Sequence, residues 1–119
     1  MNDNIELLEE IKEYIEKANK LSINIVENIR VEENIEEFID LIEGISYCIE
    51  GIYNLYSIGL ENIEEETIKQ YRENFNRNTN EMVEALENND INLLADILEY
   101  EVVELISDLN NQIKNVNLI

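Results

Sequence analysis

The chain has 119 residues, with 28 Asp or Glu against 8 Lys or Arg, a net charge of -20 and no histidine. Such charge excludes nucleic acid and anionic membrane surfaces as direct partners, since both are polyanionic. The missing His removes histidine-based triads and Glu-x-x-His di-iron sites, yet 45% hydrophobic content with no Pro and three Gly fits one helical domain over residues 1–119 rather than an acidic tail.

The first helix is predicted over residues 3–30. Leu8, Ile11, Ile15, Ala18, Ser22, Ile25 and Ile29 alternate in steps of four and three, with Ser22 the weak position. Asp3 and Glu6 have the spacing of a capping box. Glu13–Lys17 and Glu16–Lys20 are i,i+4 pairs in the favourable order.

The second helix is predicted over residues 35–58. Ile35, Phe38, Ile42, Ile45, Ile49, Ile52 and Tyr56 form an unbroken row on one stripe. Ile39, Leu41, Cys48, Tyr53 and Leu55 widen the apolar surface, so the helix is either the central element or also faces a second subunit. Asn34 with Glu37 has cap spacing, and Gly59 followed by Leu60 reads as a stop.

The third helix is predicted over residues 63–87, with Asn62 and Glu65 as its cap-like pair. Its stripe of Ile68, Tyr71, Phe75, Met82 and Ala85 or Leu86 is interrupted at Asn78 and Thr79. Four asparagines from Asn74 to Asn80 are poor helix formers, so the sequence leaves the continuity of this helix near Asn78 open. The fourth helix is predicted over residues 91–115 after a cap in Asn88-Asn89-Asp90. Ala95, Leu98, Val102, Leu105, Leu109 and Val116 carry its stripe, with Gln112 the polar exception.

Short connections between helices of roughly 36 to 42 Å predict an all-α, antiparallel, up-down-up-down four-helix bundle. A pair of hairpins dimerising into a larger bundle is the competing arrangement. No Lys or Arg occurs from Val31 to Ile68, or from Asn78 to Ile113. The first and third helices therefore carry almost all the positive charge, and bundle order keeps the two acidic helices diagonally apart.

Little chemistry is legible. Cys48, the single cysteine, lies among isoleucines and reads as a small buried hydrophobe. No calcium-loop pattern, glycine-rich phosphate loop or nucleophile–base pair occurs, so no catalytic residue, cofactor or specific metal is expected. The acidic start lacks a signal-type apolar run and no stretch is long enough for a membrane span, which implies a cytoplasmic protein.

Gly44 and Gly51 share a face of the second helix. They predict either close approach of another subunit or a bulky neighbour within the monomer. Tyr47 and Tyr53 lie off the main stripe and are candidate contact residues, because tyrosine offers apolar area and a hydroxyl.

The run Leu94-Ala95-Asp96-Ile97-Leu98-Glu99-Tyr100-Glu101 after an Asn-Asp turn resembles a segment of small, uncharacterised all-helical proteins of spore-forming bacteria. The resemblance implies a nonenzymatic bacterial protein and assigns no site. The leading expectation is thus a protein-interaction module, binding itself or a basic or apolar segment. An export chaperone for a secretion or flagellar system is a second expectation. A nucleic-acid mimic or cation buffer acting through its acidic helices is a third.

Overall fold

A computed structural model describes residues 2–119. Helix α1 spans Asn2–Glu32, α2 Glu36–Gly59 and α3 Glu65–Glu87. A fourth rod follows as α4 (Ile91–Ile97), a π-helical turn (Leu98–Val102) and α5 (Val103–Ile113). The backbone stays right-handed helical through both junctions, so these three pieces run end to end. Two short strands, β1 (Leu60–Glu61) and β2 (Asn117–Leu118), pair antiparallel.

The four rods form an elongated bundle of 45 × 23 × 20 Å. Helix α1 packs against α2 and the fourth rod, and α3 packs against the same two. The end of α1 meets the start of the fourth rod through Arg30, whose guanidinium donates to Asp96 at 2.7 Å and Glu99 at 2.9 Å. Helix α3 reaches α2 through Arg72, which pairs with Glu50 at 2.8 Å. Both ion pairs join a helix carrying basic residues to a wholly acidic one, as the charge order predicts. The β1–β2 pairing brings the ends of α2 and α5 together, which requires those diagonal rods to run in the same direction. The up-down-up-down arrangement follows.

One core runs along the bundle axis. Ile11, Ile15 and Ile29 of α1, Ile45 and Ile52 of α2, Ile68 and Met82 of α3, and Leu94, Leu98 and Ile106 of the fourth rod are all fully buried. Ser22, the weak position of the first stripe, is also buried, and its hydroxyl donates to the Asn19 carbonyl at 3.3 Å. That bond removes most of the cost of placing a hydroxyl in the core. On α2, Phe38, Ile45, Ile49 and Ile52 of the predicted row are buried together with Leu41, Cys48 and Leu55, while Ile35, Ile42 and Tyr56 are half-buried at its flank. The extra apolar positions on α2 are mostly core because α1 and α3 press on it from two sides.

Several local expectations are corrected. Asp3 lies inside the first turn of α1 rather than at its cap. The Asn34 side chain accepts from the Glu36 N–H at 3.0 Å, but Glu37 accepts from Asn28 at 2.7 Å instead of returning to Asn34. Asn62 does not cap α3. It has positive φ (68°), its amide donates to the Asn115 carbonyl at 2.8 Å, and α3 begins at Glu65. Asp90 does cap the fourth rod, accepting from the Leu93 N–H at 3.1 Å.

Helix α3 is continuous through Asn78, the point its asparagines left open. Irregularity falls on the fourth rod instead. Its π turn accommodates one extra residue, because i to i+5 bonding makes a wider turn. Past the π turn the buried face takes in Ile106 and Ile113 beside Leu105, Leu109 and Val116 of the predicted stripe, so it is centred about one residue later than that stripe. Gln112 is thereby released from the core and donates to the Asn62 carbonyl at 3.4 Å. The rod stops at Ile113, not 115, and the chain turns into β2, where the Ile119 N–H donates to the Gly59 carbonyl at 3.1 Å.

Candidate interaction surface

Helix α2 carries all four residues singled out as contact candidates. Gly44 and Gly51 face α1 of the same chain. The Tyr14 ring occupies the space a Cβ at residue 44 would need, and the Ile11 Cδ1 lies 2.8 Å from an ideal Cβ at residue 51. Of the two readings offered for these glycines, the geometry matches a bulky neighbour within the monomer. Tyr14 also donates its hydroxyl to the Asp40 carbonyl at 3.4 Å. Burial, and more weakly Cys48 and Asp40, pushes its phenol above the ordinary value.

Tyr53 is half-buried beneath Arg72, whose guanidinium lies 4.7 Å from the ring centroid. The same guanidinium makes two bonds to Glu50, one turn before Tyr53, so this aromatic face is already covered by a cation–π contact. Tyr47 is different. It is 62% exposed on the outward side of α2.

One turn before Tyr47, Glu43 borders a groove between α2 and α3. The groove holds about 170 Å³; Phe38, Ile39, Ile42, Met82, Val83 and Leu86 line it together with Glu43 and Thr79, whose hydroxyl is tied to the Phe75 carbonyl, and the surface they present to it is apolar. Its two lips are Ile39 (44% exposed) and Val83 (47% exposed). Glu36 and Glu43 stand three residues before and four after Ile39, and Glu87 stands four after Val83. These spacings place acids on the same helix faces as the lips. Helix α2 contains no Lys or Arg, nor does α3 after Arg77. The result is an open apolar slot with a negative surround.

Sequence reasoning noted Ile39 only as widening α2 and passed over Val83. Both are apolar residues just outside a core stripe, and that excess was the available signal. Their juxtaposition across two helices was not visible in either helix alone.

Cys48 is buried, and desolvation pushes its thiol up to about 12. It stays protonated near neutral pH and is a poor nucleophile. Among the described residues no three His, Cys, Asp or Glu side chains come close enough together to hold a metal ion, and no helix is long and apolar enough to cross a membrane.

A family model described as Domain of unknown function (DUF8042) matches residues 6–112. The chain belongs to the DUF8042 family. The match takes in all four rods nearly to the end of α5, including the Leu94–Glu101 run, and its description gives no activity and no link to spore-forming bacteria. No curated protein and no solved structure matches the chain.

Proposed function

We infer that this DUF8042 domain is a nonenzymatic protein-interaction module, whose α2–α3 groove takes the apolar side chains of a basic partner segment. The observation that carries the reading is the apolar surface of a slot open between Ile39 and Val83. An apolar groove with a charged rim suits an amphipathic segment, whose apolar face fills the slot while its charged face meets the rim. The rim and the net charge of -20 select a basic segment over a second copy of the chain, which would bring another strongly acidic surface against the first. Tyr47, exposed one turn beyond Glu43, extends the same contact face. A lone buried Cys48 suits a reducing compartment, and the cytoplasm is the location we assign.

The test is titration with an amphipathic peptide carrying leucines on one helical face and lysines on the other, followed by fluorescence anisotropy. Binding is expected to weaken with added salt, because screening acts on exposed charges, and to be lost in Ile39→Glu and Val83→Glu. Both positions are half-exposed, so circular dichroism should show both variants folded. Equal binding by wild type and the two variants would reduce the effect to general charge attraction and end the groove reading.

A further inference from the structure

The α2–α3 groove is not a uniform apolar surface. Its floor is Phe38 from α2 and Met82 from α3, both buried. Ile42 and Leu86 are half-buried beside them, and Ile39 and Val83 stand out as the lips. We propose that this slot is an anchor pocket for one phenyl ring, the side chain of a single phenylalanine in a basic partner segment. The proposal rests on the groove reading above and narrows it to one kind of anchor.

Size is the first observation. The slot holds about 170 Å³. An apolar cavity of about 150 Å³ takes up a benzene ring, so there is room for one ring and not for a row of side chains. The α2 wall agrees, because it runs only from Phe38 to Glu43, less than two turns of helix.

The floor supplies the second observation. The chain has two phenylalanines and two methionines, and its core is built mainly from Ile and Leu. One ring and one thioether meeting at this opening set it apart from that aliphatic interior. Aromatic pairs gain from offset or edge-to-face packing beyond the area they bury, and a thioether sulfur is attracted to a nearby ring. An aliphatic guest gains neither. The unbranched Met82 side chain can also adjust its shape to the ring that enters.

Charge is the third observation. Glu36, Glu43 and Glu87 lie on the faces of the two lips, and among the described residues none of them is in an ion pair. Their carboxylates are available to lysines or arginines flanking the anchor. Such pairing steers and orients a partner more than it tightens it, which leaves the ring to set affinity. The Thr79 hydroxyl, committed to the Phe75 carbonyl at 2.9 Å, offers the guest no hydrogen bond.

The test uses two helical peptides with lysines on one face and a single central anchor on the other, phenylalanine in one and cyclohexylalanine in the second. The saturated ring has nearly the same outline and is at least as hydrophobic, so burial alone would favour it. Anisotropy titration is expected to show the phenylalanine peptide binding roughly threefold or more tighter. Protein carrying carbon-13 in its methionine methyls gives a second readout that needs no variant to bind. The Met82 signal, identified by its loss in Met82→Leu, should shift under the ring current of phenylalanine well beyond its response to cyclohexylalanine. Equal or tighter binding of the cyclohexylalanine peptide, or an equal response of the Met82 methyl to both, would overturn the anchor. The groove reading would then survive if Ile39→Glu still abolished binding of both peptides. Absence of saturable binding by either peptide would remove the groove reading, and the anchor with it.

Discussion

Tyr14 of α1 lies over Gly44 of α2, in the space a side chain there would fill. Seven residues on, Ile11 does the same at Gly51. A helical glycine costs about 1 kcal/mol relative to alanine, and here that cost is offset by close approach of the two helices.

The two glycines should respond differently to substitution. Ile11 is fully buried, so Gly51→Ala must displace a core side chain. Overpacking typically costs about 1 to 3 kcal/mol, which outweighs the gain in helix propensity. Tyr14 is half-buried and meets Gly44 with the far end of its ring, so Gly44→Ala can be met by the ring turning outward. Urea unfolding should show Gly51→Ala destabilised and Gly44→Ala within about 1 kcal/mol of wild type.

Glu33 should be improvable. It ends α1 with φ of 53°, and its N–H donates to the Ile29 carbonyl at 3.1 Å. This is the left-handed position where glycine is usual, and a side chain there costs roughly 1 to 2 kcal/mol. Glycine also adds freedom to the unfolded chain. Glu33→Gly is therefore expected to stabilise by about 0.5 to 1 kcal/mol, read from the shift in urea midpoint at unchanged slope.

Deletion of Tyr100 should be tolerated. Removing one residue from the π turn restores an ordinary α turn and leaves Ile106 and Ile113 facing the core. The same deletion at Asn76, inside the regular helix α3, rotates everything after it by about 100° and turns Met82 out of the core. Thermal melts should remain cooperative for the first deletion and lose cooperativity for the second.

Cys48 sets an alkaline limit. Its thiol rises from an ordinary 9.0 to about 12 in the folded protein, so folding favours the protonated form. The associated stabilisation is fully present below about pH 9 and is lost as pH rises through 9 toward about 12. Cys48→Ala should flatten the alkaline fall of the melting midpoint. Native wild type should resist thiol reagents at neutral pH and react on unfolding.

Periodicity alone placed all four rods within a few residues, because a helix must bury one stripe and the stripe is written in the spacing. The alternation of mixed and acidic helices also anticipated that each mixed rod would lie against acidic ones, as the Arg30 and Arg72 ion pairs do. Tertiary packing decided what spacing leaves open. The asparagines near Asn78 stay helical because Phe75 and Met82 anchor that stretch in the core. The fourth rod, though better patterned, widens at Leu98–Val102 so that Ile113 rather than Gln112 reaches the interior. The groove likewise arises between helices, where no single-helix pattern extends. Local sequence fixes which face of a rod is apolar, but only the neighbouring rod determines how much of that face is covered and what remains open.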